Sequence, residues 1–224
     1  MHDAAKVYWF CAGLTLRLVR MSEQEFVALL SLATAMSFTP GPNTALSTAL
    51  AANFGLRGAL RFILAVPTGW TVMMLACGLG LGALTLAVPG LRLAVKGAGV
   101  AYLLWLAWKL ARARCLAEAD AAGLQVGFWQ GVGLQFVNIK AWVLALALAA
   151  GWVASAAGQP ASNPGERLAI VCAVMAVFAI TSNLAYALMG SLLRGWLVHG
   201  DRLLWFNRAM AALLVATAAW MVSA

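Results

Sequence analysis

From Met21 onward this chain is a succession of long apolar runs, joined by short stretches that hold nearly all of its charges. The runs extend roughly from Phe26 to Asn53, Phe62 to Val88, Leu91 to Leu110, Leu124 to Ala157, Leu168 to Leu193 and Leu203 to Val222. Each reaches the roughly 20 residues that a helix needs to cross a bilayer. The chain therefore reads as an all-α integral membrane protein. It is 64% hydrophobic and 10% charged, against about 25% charged in soluble domains. That leaves no room for a second, soluble domain, and residues 21–224 read as one transmembrane unit.

The net charge of +8 is distributed singly or in pairs at the ends of the runs, where headgroups and topogenic signals use it. It forms no patch suited to nucleic acid. The expected partners are the lipid bilayer and a small molecule, and a homodimer is compatible with this reading. Cys11, Cys77, Cys115 and Cys172 form neither CxxC pairs nor a metal spacing, and read as small apolar packers. No metal or cofactor is expected. Residues 1–20 contain an apolar run, Val7 to Leu16, that is too short to span and lacks a cleavage site. They read as a non-native or disordered extension, with Met21 as the natural start.

Two runs are wrong for a simple helix. The first holds Pro40-Gly41-Pro42-Asn43 at its centre, and two prolines remove backbone donors and clash with the preceding turn. The fourth would be about 50 Å long as a helix at about 1.5 Å per residue, against a hydrocarbon core of about 30 Å. Midway through it stands Asn138-Ile139-Lys140. These are the first and fourth of six runs, the pattern of two three-helix repeats. An odd number of spans per repeat inserts the two in opposite senses. Inverted repeats with interrupted helices at matching positions point to a transport site near the membrane midplane. The expectation is six transmembrane helices as two inverted repeats, the first helix broken and the fourth interrupted.

The same stretches resemble the lysine exporter (LysE/RhtB) family of bacterial amino-acid exporters. Phe38 to Leu46, FTPGPNTAL, is similar to its first-helix motif, followed by the glycine-punctuated Asn53 to Gly58. Lys96 to Leu106 resembles its third-span signature, Phe136 to Ala141 its fourth-span motif, and Trp205 to Arg208 the opening of its last span. The five landmarks occur in order from Met21 to the C-terminus. One departs: Ile139 stands where the family usually has proline, so missing donors do not force a second break. The resemblance implies a multi-pass protein of the bacterial cytoplasmic membrane that exports amino acids or related metabolites.

The candidate substrate-binding residues are Pro40, Gly41, Pro42, Asn43, Thr44, Asn138 and Lys140. A helix restarting at Thr44 would turn free N–H groups, carrying partial positive charge, toward a carboxylate. Asn43 would cap it, and carbonyls freed before Pro40 and Pro42 would accept from an ammonium. A plain proline kink is the competing reading. Lys140 is either a functional charge inside the membrane or an interfacial residue snorkelling from a helix end. Thr68, Asn183 and Tyr186 are secondary candidates, although such side chains more often bond their own helix. All seven acids lie in tails or loops, which favours neutral or small polar substrates over cationic ones. The two histidines, His2 and His199, lie in a tail and a loop, so catalysis has no base. The rival readings are a structural or assembly membrane protein, or an exporter of another small ion or metabolite.

Overall fold

The computed structural model describes residues 21–80, 89–114, 125–156 and 158–223. The expected extension over residues 1–20, with Cys11, lies outside them, as do Cys115 and Gly82. The described chain is almost wholly helical: α1 (Glu23–Phe38), α2 (Pro42–Gly78), α3 (Pro89–Arg112), α4 (Phe128–Val137), α5 (Ile139–Leu148), α6 (Pro164–Leu197) and α7 (Arg202–Ser223). One π-turn over Ala149–Val153 extends α5. A two-residue antiparallel pair, β1 (Ser155–Ala156) with β2 (Gln159–Pro160), closes the turn before α6. Helices α2, α6 and α7 are each long and apolar enough to cross a membrane, and α4 with α5 forms a further span if the bent pair is counted as one.

Local chemistry sets the breaks. Ser22 and Glu25 cap α1 reciprocally, satisfying two of its orphan donors. The helix ends where Thr39 turns to extended backbone (φ −67°, ψ 128°), as the residue before a proline must. Pro42 restarts it at the first helical position, where a missing N–H costs nothing. In α2 the backbone at Gly55 has φ 76° and ψ 170°, a conformation that only glycine adopts cheaply. There the chain doubles back. Asn43 bonds Gln135, and a Cβ on Gly69 would lie 2.9 Å from Gln135 Cγ. Yet positions 43 and 69 would be about 39 Å apart on a straight helix at about 1.5 Å per residue. The first two expected runs are thus limbs of one hairpin, and the second helix resumes at Leu56, ahead of the expected Phe62.

The first limb of α2 is the centre of the molecule, with residues 44–53 all buried. Its sequence explains this, because alanine, serine and threonine let neighbouring backbones approach on every side. Helix α6 comes so close that a Cβ on Gly190 would sit 2.2 Å from the Thr48 carbonyl oxygen. Helix α3 meets the end of α4 in the same way: a Cβ on Gly99 would sit 2.1 Å from the Val137 carbonyl oxygen. Gly78 against Leu168, and Gly131 against Ala65 and Phe62, likewise serve packing. Gly190→Ala should lower the melting temperature in detergent by about 5–10 °C, because overpacking costs about 1–3 kcal/mol and each kcal/mol moves a chain of this size by about 2–4 °C. Gly195→Ala, whose Cβ would meet nothing within 4 Å, is the control and should melt like the parent. Equal melting of both variants would mean that α6 shifts freely on α2.

Polar pairs join distant parts of the bundle. Ser47 donates to Asn183 Oδ1 at 2.8 Å. Asn53 and Asn207 bond each other reciprocally, and Asn207 also reaches the Ala113 carbonyl. Arg167, fully buried, donates to Glu25 at 2.9 Å and to the carbonyls of Trp152 and Ser155. It thereby ties the starts of α1 and α6 to the end of α5. Trp108, Trp129, Trp196 and Trp205, near the ends of the apolar runs, are exposed, as suits an interfacial aromatic belt. Trp152 is half-buried and donates its indole N–H to the Glu25 carbonyl.

Candidate functional site

The two interruptions come together. At the second, Asn138 leaves the helix (φ −90°, ψ 100°) and α4 and α5 meet at a 69° bend. The break therefore exists without the family's proline. Asn138 supplies what it needs: its N–H bonds Gln135, and its carbonyl receives the N–H groups of Ala141 and Trp142. Trp142 in addition donates its indole N–H to Phe136 across the bend at 2.7 Å.

Between the breaks lies a cavity of about 80 Å³, room for several waters. Gly41, Pro42, Asn43, Thr44, Asn138, Lys140 and Asn183 line it, with Thr39, Ser182, Trp70 and an apolar wall that includes Val66, Ala141, Leu144 and Met175. Pro40 lines instead an adjoining cavity of about 390 Å³, bounded by Leu213, Ala216, Thr217 and Trp220 of α7. Lys140 borders both.

Several expected roles change hands. Lys140 Nζ donates to the carbonyls of Met36 and Thr39, at 3.1 and 3.4 Å, and Tyr186 donates its hydroxyl to that of Phe38 at 2.9 Å. Three of the carbonyls freed at the first break are therefore held by this chain's own donors. Asn43 does not cap α2. It forms a closed amide pair with Gln135, at 2.9 and 3.1 Å, while Thr44 Oγ1 takes the Gly41 N–H at 2.9 Å. Thr68 stands apart, exposed and bonded back to the Leu64 carbonyl, because it faces outward from the second limb of α2. Asn183 lines the cavity, but its amide is engaged by Ser47 and the Ala179 carbonyl.

What remains open for a ligand is mostly positive. The backbone N–H groups of Asn43 and Thr44 meet no acceptor among the described residues, as befits the first turn of a helix. Helix α5 also starts at the cavity, with Lys140 in its first turn. Two helix N-termini and one ammonium thus converge. Lys140 has no carboxylate partner among the described residues, and an ammonium carries three donors, of which two are used. Asn138, which also lines the cavity, is 5% exposed, and its Oδ1 has no partner among the described residues. Gln135 and Trp70 were absent from the expected site. Each lies inside a long apolar run with no charge beside it to single it out.

Interrupted helices whose restarting ends enclose a small charged cavity are the structural class of secondary membrane transporters. The profile of the LysE type translocator family matches residues 34–224, and the chain belongs to that family. It is a multi-pass protein of the bacterial inner membrane. It is 34% identical over 191 residues to a cysteine/O-acetylserine efflux protein of Klebsiella pneumoniae, covering 83% of this chain and 91% of that one. Proteins of the same description in Salmonella typhimurium and Escherichia coli K12 are 32% and 30% identical, over 80% and 83% of this chain and 88% and 90% of theirs. Comparison with solved structures finds no match.

Proposed function

We propose that this protein exports small neutral amino acids from the cytoplasm, binding them in the cavity between the two breaks. The observation that carries the reading is Lys140, an ammonium without a carboxylate partner among the described residues, beside two helix N-termini. A substrate carboxylate would complete that arrangement through the third Lys140 donor and the N–H groups of Asn43 and Thr44. Its ammonium would meet Asn138 Oδ1. The lining contains no Asp or Glu, so a second positive charge on the substrate would find no partner there. Cysteine and O-acetylserine, which the relatives' names specify, fit this description.

The fold supporting this reading is six spans in two inverted halves. Residues 23–54, broken near Pro40, would correspond to 128–153, broken at Asn138. The second limb of α2 would correspond to α6, and α3 to α7. Each pair packs together, which supports a two-fold relation through the cavity.

In everted membrane vesicles containing the full chain, cysteine and O-acetylserine should accumulate well above vesicles lacking it, and excess serine-sized neutral amino acids should compete. Lysine should compete at least about tenfold more weakly, because one unpaired buried charge costs more than about 1.4 kcal/mol. Indifference to neutral, acidic and basic amino acids alike would favour a structural role.

A further inference from the structure

Among the described residues, one that lines the cavity carries a buried donor that binding of the amino-acid headgroup leaves idle. Trp70 lines it, is 6% exposed, and has no partner for its indole Nε1 among the described residues. A buried indole N–H ordinarily has one. The side chain is held where it stands, packed in one cluster with Ala141, Leu144 and Met175. Beside it, the backbone at Gly69 is pressed against α4, so close that a Cβ there would lie 2.7 Å from the Val132 carbonyl oxygen. That contact fixes the backbone from which the indole projects. Two polar oxygens of the lining do not serve it: Asn183 Oδ1 accepts from Ser47 instead, and Ser182 Oγ makes no bond to the indole.

We propose that the Trp70 indole N–H is the specificity donor of the site, selecting substrates whose side chain carries a hydrogen-bond acceptor. This rests on the reading of the cavity as an amino-acid site. The substrate class it names is the O-acyl amino acid. A carbonyl oxygen accepts fully, a thiol sulfur weakly and an alkyl group not at all. Among side chains that fill the same apolar space, the one presenting a carbonyl to Nε1 is preferred.

The test uses the full chain in everted vesicles with two substrates of equal length, O-acetylserine and O-ethylserine, an ether that lacks the ester carbonyl. The unmodified chain should show a KM for the ester about fivefold to tenfold below that for the ether, the worth of one neutral hydrogen bond. Trp70→Phe keeps an aromatic ring and removes the donor. It should raise the ester KM by about that factor more than the ether KM, so that the preference collapses towards equality, and continued carriage of the ether reports a folded variant. Equal KM values in the unmodified chain overturn the proposal, as does a Trp70→Phe variant that keeps the parent's preference for the ester. If the variant fails to insert, the comparison in the unmodified chain decides alone, and a preference below about twofold overturns it. Failure of the unmodified chain to carry either substrate is a different result, and removes the proposed function itself.

Discussion

Lys140→Met is expected to insert and fold, yet to lose most export. Truncating one member of a buried charge pair costs about 2–5 kcal/mol, and about 1.4 kcal/mol is a decade. Transport efficiency for a neutral amino acid should therefore fall by about 30-fold to several thousandfold. Insertion should not suffer, because a lysine at the centre of a membrane helix costs about 2.5–3.5 kcal/mol that methionine does not. The Met36 and Thr39 carbonyls lose their donor in this variant, so some loosening of the first break accompanies the loss of charge. Lys140→Arg separates the two effects. It retains charge and donors but presents a wider planar head, and should restore the tie to the carbonyls while recovering transport only in part. Export by Lys140→Met at the parent rate, at equal membrane abundance, would make Lys140 a structural clasp and leave the carboxylate to the start of α2.

The second large effect concerns stability. Arg167 is fully buried and touches three segments through Glu25, Trp152 and Ser155. Removing one partner of a buried ion pair costs about 3–5 kcal/mol, because the other charge is left uncompensated. Arg167→Met should melt at least about 6 °C lower in detergent, at about 2–4 °C per kcal/mol. Glu25→Gln should be milder. It keeps an oxygen for the guanidinium, and the Trp152 and Ser155 carbonyls remain bonded to Arg167. Thermal unfolding followed by size-exclusion chromatography reads both variants, and a parental melting point for Arg167→Met would show that the pair contributes nothing net.

The parts of this molecule that follow from local chemistry were legible in its sequence. Proline carries its missing donor wherever it stands, so the first break could be placed between Thr39 and Asn43 without reference to any other residue. The second interruption was visible as polar residues in an overlong run, but whether the helix would bend there depended on Asn138 completing its own turn. Partners were not legible. Asn43 has the chemistry of a cap, and only the approach of Gln135, 92 positions away, makes it one half of an amide pair. Thr68 and Ser47 are chemically alike, yet one faces outward and the other meets Asn183. Trp70 was hidden for the opposite reason. An indole in an apolar run looks like packing until its N–H is found without a partner.

The tie between Lys140 and the first break has a consequence for how the protein is made. The carbonyls of Met36 and Thr39 receive their donor from a residue 104 and 101 positions downstream. At about 5–20 residues per second, a ribosome needs about 5–20 s to deliver it. During that interval the first hairpin has been synthesised while its break still holds polar backbone that no later segment covers. The nascent chain must be sheltered there by the insertion machinery or by water. A product truncated before Lys140 keeps those carbonyls without their lysine donor.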